Sequence, residues 1–225
     1  MVYRVPHRVS QKALIRGPGG MPLPLVTQRY LAGTRVSEDL SGAAVPAAAY
    51  TIENSCRFND DDGADMSKSF SGASDDPDKA TVACWIKRGN LGPQAGTCKI
   101  FDHGGGWEGM HFDATDHLYY QFNSSNTGTS KAVYRDPSAW MHVAYITDTS
   151  LAAETDRIKL FVNGVRIEDA DMTSTSYPTQ DQNAGRLFGS SGNFTIAVES
   201  TSSNQFDGYM ADFIGLDGIA AAITD

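Results

Sequence analysis

From Tyr50 onward the chain breaks into short runs of β-branched and aromatic residues separated by clusters of Gly, Asn, Asp, Ser and Pro. Runs of that length and composition predict strands, and no segment shows a sustained 3.6-residue period that would compete as a helix. Strands are expected near 51–58, 65–70, 80–88, 98–103, 108–113, 117–122, 131–135, 140–147, 157–162, 165–168, 186–189, 194–199 and 206–216. The sharpest local signal is RIKLFVNGVRI at 157–167, where Ile158, Leu160 and Val162 alternate with Lys159 and Phe161. Asn163 and Gly164 both tolerate positive φ, so they predict a two-residue type I′ hairpin. About a dozen strands joined by short turns, without crossover helices, pack best as two antiparallel sheets face to face. The expected fold is therefore all-β, a two-sheet antiparallel sandwich.

The first 49 residues read differently. Pro6, Pro18, Pro22 and Pro24 fall among Gly17, Gly19 and Gly20. Proline removes backbone donors and glycine adds disorder entropy, so an extended arm is expected there, with no stable helix before residue 26. SGAAVPAAA at 41–49 reads as a small-residue linker, which divides the chain into an arm at 1–49 and a sandwich at 50–225. Charge sharpens the division. The net charge of -9 comes from 18 basic and 27 acidic residues. Six of those basic residues (Arg4, Arg8, Lys12, Arg16, Arg29, Arg35) lie in residues 1–50 beside only Glu38 and Asp39, giving about +4. The remaining 12 basic and 25 acidic residues give the body about -13. A basic arm carrying apolar anchors such as Leu14, Ile15, Leu25 and Tyr30 suits docking on an acidic protein surface, while the acidic body repels nucleic acid. The first twenty residues contain no apolar leader core, and no run of 18 apolar residues occurs, so neither secretion nor a membrane span is expected. Cys56, Cys84 and Cys98 are expected as reduced thiols, a cross-strand Cys84–Cys98 pair being the alternative.

Four segments in order carry a resemblance: NSCRFNDDDGADMSKSF at 54–70, TVACWIKRGNL at 81–91, WMHVAYITD through DRIKLFVNGVRI at 140–167, and FDGYMADFIGLDG at 206–218. Together they resemble the laminin-G-like branch of the concanavalin A-like jelly-roll domains, over about 165 residues. RFNDDD, WIKRGNL and YMADFIGLDG are most similar to the version found in tailed-bacteriophage virion proteins, fibre-like ones above all. The resemblance implies a virion structural protein, anchored by residues 1–49 to other virion proteins. Its lectin-like sandwich would be displayed as a fibre or adhesin module toward a host-surface glycan, in homo-oligomeric copies on the particle. A head-decoration protein and a free carbohydrate-binding module are the alternatives. The resemblance also implies that Trp85 is a core residue.

Catalytic chemistry is not expected. A retaining glycosidase needs two carboxylates about 5 Å apart across the sugar, and its relatives in this fold place them in a Glu-x-Asp-x-x-Glu strand that is absent from the sequence. Asp113 and Asp116 in HFDATDHLYY span a predicted turn and read as turn chemistry. His7, His103, His111, His117 and His142 lack any Gly-x-Ser-x-Gly context, and Gly104–Gly106 precede no helix that could cradle phosphate. No cofactor is expected, except that calcium could use the oxygen-rich turn Asp60, Asp61 and Asp62 beside Asn59. Against it, the closing strand has Ala211 and Asp212 where calcium-type relatives often carry Asp-Glu. For a carbohydrate, which needs aromatic faces among hydrogen-bonding groups, the candidates by residue type are Trp107, Tyr119, Tyr120, Tyr134 and Tyr177.

Overall fold

A computed structural model describes residues 52–91, 97–104, 108–183, 187–189, 192–199 and 204–223, together with short backbone strands nearer the N-terminus. In chain order the strands are β1 (Val2–Arg4), β2 (Gln28–Leu31), β3 (Thr34–Glu38), β4 (Ala44–Pro46), β5 (Cys56–Phe58), β6 (Met66–Ser69), β7 (Lys79–Arg88), β8 (Cys98–His103) and β9 (Glu108–Phe112). They continue as β10 (His117–Phe122), β11 (Asn126–Val133), β12 (Met141–Asp148), β13 (Ile158–Val162), β14 (Val165–Arg166), β15 (Met172–Thr175), β16 (Asn193–Ile196) and β17 (Gly208–Asp217). Residues 1–5 and 55–222 form one compact unit, and 6–54 with 223–225 form a second.

The first unit is the expected antiparallel sandwich. One sheet runs β1-β17-β7-β12-β13-β14 with β5 also on β17, and the other runs β15-β11-β10-β9-β8-β16-β6. The second unit holds the antiparallel sheet β2-β3-β4. This segment was expected to be irregular, and its 41–49 stretch a linker. Val2–Arg4, assigned from sequence to the arm, is an edge strand opposite Ile214–Leu216.

Alternation explains which residues face inward. Val82, Cys84 and Ile86 on β7, Val143 and Tyr145 on β12, and Leu118, Tyr120 and Phe122 on β10 are all essentially inaccessible and meet in one core between the sheets. The hairpin β13–β14 turns at Asn163 and Gly164, with φ of 52° and 83°, as the NG pair predicts.

The same alternation corrects three expectations. Trp85 sits between Cys84 and Ile86, so it lies on the outer face of the first sheet, edge-on to His142 with ring centroids 5.2 Å apart, and is not a core residue. Cys84 and Cys98 lie on β7 and β8, which belong to opposite sheets rather than neighbouring strands, and all three cysteines are free thiols. β15 was not anticipated, β11 starts at Asn126 rather than 131, and Leu187–Gly189 are bends rather than a strand.

One buried ion pair crosses the sandwich near its end. Arg88 of β7 donates from Nη2 to Asp116 Oδ1 at 2.8 Å, lies 4.1 Å over the Phe112 ring, and donates from Nη1 to the Tyr134 carbonyl at 2.6 Å. Asp116, read from sequence as turn chemistry alone, thus also ties two sheets together. Its left-handed φ of 68° keeps the turn role as well.

Candidate functional site

The outer face of the second sheet carries a row of side chains set by strand register. Lys99 of β8 lies opposite His111 of β9, His111 opposite Tyr119 of β10, Tyr119 opposite Thr129 of β11, and Thr129 opposite Ser174 of β15. In the adjacent row Asp102 lies opposite Gly109, and Gly109 opposite Gln121. Two local features shape this face. A bulge between Lys99 and Phe101 inserts one residue, so Ile100 and Phe101 both reach the core and residues 99 and 102 share the outer side. Gly109 has no space for a side chain, since a Cβ there would come 2.5 Å from the Phe101 carbonyl oxygen. The floor between Asp102 and Gln121 is therefore low.

These features leave a groove of about 490 Å³ lined by Thr97, Lys99, His111, Asp113, Tyr119, Gln121, Thr129 and Glu199. That volume lies in the usual range for a small-ligand site of roughly 300–1,000 Å³. The Tyr119 ring leans on the His111 ring, with centroids 4.4 Å apart and planes tilted by 34°. His111 is 5% exposed and its Nδ1 is buried without a hydrogen-bond partner. Burial, followed by the charge of Lys99, pulls its pKa down from 6.5 to about 3, against a smaller opposing pull from Asp113. The ring is therefore neutral at neutral pH. Burial tends to raise the pKa of Asp113, but hydrogen bonds from the Thr115 hydroxyl and the backbone amides of His117 and Thr115 outweigh it and hold the carboxyl below its ordinary value. Those bonds all reach Oδ1, at 2.8, 3.0 and 2.8 Å respectively. Glu199 accepts from the Asn204 side-chain amide, and Asn204 in turn accepts from the Thr97 and Lys99 backbone amides, which fixes the groove's edge.

Of the sequence-derived aromatic candidates among the described residues, the structure brings Tyr119 alone to this groove. Tyr120 points the other way into the core, 1% exposed, with its hydroxyl donating to the Ser176 carbonyl. Tyr134 packs against the core beside Phe112, and Tyr177 stacks near Tyr120 while its hydroxyl donates to Asp169. Trp107 lies outside the described residues. Asp60, Asp61 and Asp62 form a short 3₁₀ turn whose oxygens accept from Asn59 and Asn90 side chains. Among the described residues, no three of His, Cys, Asp or Glu converge as a metal site. Sequence reasoning missed Lys99, His111, Gln121, Thr129 and Glu199, because only the register of β8–β11, the bulge and, for Glu199, the link through Asn204 bring them together.

The profile of the concanavalin A-like lectin/glucanases superfamily, in its laminin-G form, matches residues 61–214. The chain belongs to this superfamily. No curated protein matches it. Among solved structures, this lectin-like chain is similar to a protein from Bacteroides ovatus described as a candidate carbohydrate-binding protein, at 13% identity and a TM-score of 0.52. That match covers 84% of this chain and 52% of the other, so the chain spans about half the length of the Bacteroides protein. Looser likenesses are to the CBM40 of the Ruminococcus gnavus IT-sialidase bound to α2,3-sialyllactose, at 12% identity, TM-score 0.45, and coverage of 70% and 94%. Domain 4 of the GH43 arabinanase AbnA from Geobacillus stearothermophilus, solved with arabinotriose, gives 14% identity, TM-score 0.44, and coverage of 88% and 78%.

Proposed function

We propose that this chain is a non-catalytic, glycan-binding sandwich displayed on a tailed-phage particle as a fibre or adhesin module. The observation that carries glycan binding is the outer-face groove. It offers one half-exposed aromatic ring, Tyr119, flanked by the Gln121 amide, the Thr97 and Thr129 hydroxyls and the Asp113 and Glu199 carboxylates. A sugar presents an apolar C–H face and a rim of hydroxyls, and this arrangement complements both. Superfamily membership and the likeness to the Bacteroides protein support the same reading. In this non-catalytic reading Asp113, fixed by three hydrogen bonds, and Glu199, held by Asn204, act as positioned acceptors for sugar hydroxyls. No metal is needed for this mode of binding.

The test is binding of the full chain to an array of oligosaccharides, followed by calorimetry of the ligands retained. Tyr119→Ala should abolish the signal, and excess EDTA should leave it unchanged. Retention by Tyr119→Ala would move the site elsewhere.

Display on a virion draws on the basic N-terminal segment set against the acidic body, and on the phage-like wording of RFNDDD, WIKRGNL and YMADFIGLDG. Copies of the chain would dock through this segment on other virion proteins and gain avidity from repetition. Reversing Arg8, Lys12 and Arg16 to Glu in the full chain should reduce the amount that co-purifies with particles. Equal incorporation would sink the anchoring role. A high copy number on heads, rather than a few copies on tails, would favour the head-decoration reading.

A further inference from the structure

The charges in the groove bear on which sugars it takes. Lys99 supplies an ammonium there, but its side chain is only 4% exposed and its Nζ donates at 3.0 Å to Asp102 Oδ1, on a carboxylate that is 0% exposed. The bulge after Lys99 is what puts these two residues on one face. A cation already neutralised by a buried carboxylate attracts a second anion only weakly, since an incoming carboxylate would meet the Asp102 charge beside the ammonium. His111, which lines the groove with a buried and neutral ring, adds no charge there. Asp113 and Glu199 are then the lining charges left without a compensating cation in the lining. The stretches GPQAG at 92–96 and STSS at 200–203, which adjoin Thr97 and Glu199 in sequence, contain no charged residue.

We propose that the groove selects neutral, hydroxyl-rich saccharides and rejects those bearing a carboxylate, because the Lys99–Asp102 pair locks away the cation that an acidic sugar requires. This inference rests on the glycan-binding reading above. Like charges brought together in a partly desolvated groove repel, and the repulsion falls as salt screens it.

The test uses the full chain with matched probes that differ in the carboxylate: lactose against 3′-sialyllactose, and trigalacturonate against its methyl ester, within a wider array of neutral and acidic glycans. At low salt the acidic member of a bound pair should bind at least about tenfold more weakly, and at about 1 M salt the gap should shrink. Glu199→Gln keeps an acceptor for Asn204 while removing a charge, so it should narrow the gap between the acidic and the neutral member of a pair. Acidic glycans bound as tightly as neutral ones, or a gap that neither salt nor Glu199→Gln changes, would overturn the charge selection and leave glycan binding standing. An array in which no glycan of either kind binds would instead overturn the glycan reading, and this inference with it.

Discussion

Replacing Asp116 with asparagine removes one buried charge while preserving size and the left-handed backbone, which asparagine tolerates as aspartate does. The charge left behind is the Arg88 guanidinium, whose side chain is 2% exposed, as is that of Asp116. Arg88 would keep the Tyr134 carbonyl and the Phe112 ring, but neither is an anion. Breaking a buried pair from one side typically costs about 3–5 kcal/mol, and the neutral amide oxygen still accepts a hydrogen bond, so a loss of about 3 kcal/mol is expected. At about 2–4 °C per kcal/mol for a domain of this size, the melting temperature should fall by about 6–12 °C. Arg135 provides the internal control. Its Nε reaches Asp116 Oδ2 at 2.8 Å, the same distance as Arg88, yet its side chain is 57% exposed. Arg135→Gln should cost less than about 1 kcal/mol, because water screens an exposed pair. Thermal melts followed by circular dichroism, backed by denaturant titration, measure both. A loss below 1 kcal/mol for Asp116→Asn, or one no larger than that for Arg135→Gln, would refute the argument that burial sets the value of this contact.

Three further outcomes are expected. Tyr119→Ala should lose glycan binding with little change in stability, whereas Tyr120→Phe should keep binding and lose about 1 kcal/mol through its hydrogen bond to Ser176, so calorimetry and melts should separate the neighbouring tyrosines. Trp85→Ala should cost clearly less than the roughly 3–5 kcal/mol of an emptied core aromatic, since its ring lies on an outer face, and a loss inside that range in denaturant titration would count against the assignment. His111 has a folded pKa of about 3 against an ordinary 6.5, so the unfolded chain takes up its proton first; its stabilising contribution is full above pH 6.5 and declines as pH falls toward 3. His111→Asn should flatten that part of the stability–pH curve, and an unchanged slope would show that burial does not hold the imidazole neutral.

Much of the sandwich was legible because its strands bury one face and alternate. RIKLFVNGVRI carries both the alternation and the turn chemistry, and β13–β14 formed where they pointed. β15 was missed because MTST has one buried residue, Met172, followed by three exposed polar ones, which leaves no alternation to see. The start of β11 was missed because Gly128 resembles a turn residue, although its lack of a side chain is what admits the Tyr120 ring against the strand. For Trp85 the family resemblance pointed inward, while Val82, Cys84 and Ile86 already defined the opposite parity. The site was far less legible. Tyr119 and Tyr120 are identical by residue type, and only the inward direction of Leu118 and Phe122 tells which of the two faces out. Lys99 and Asp102 are three apart, a spacing that puts strand residues on opposite faces unless a bulge intervenes, and bulges leave little trace in composition.

The position of β17 has a consequence for how the chain is made. This strand, Gly208–Asp217, is not an edge: it lies between β7 on one side and β5 and β1 on the other, so the last strand of the sequence is inserted among the first. A ribosome releasing the chain from its N-terminus presents β5 and β7 long before their shared neighbour exists. Until residue 208 and beyond have emerged, the flank of β7 that will receive β17 carries unpaired N–H and C=O groups beside the apolar residues Val82, Cys84 and Ile86, a template for pairing with another nascent chain. Such distant pairings also make for slow folding, because a long loop must close before the contact forms. Premature stops before β17 should therefore yield aggregates rather than smaller folded proteins.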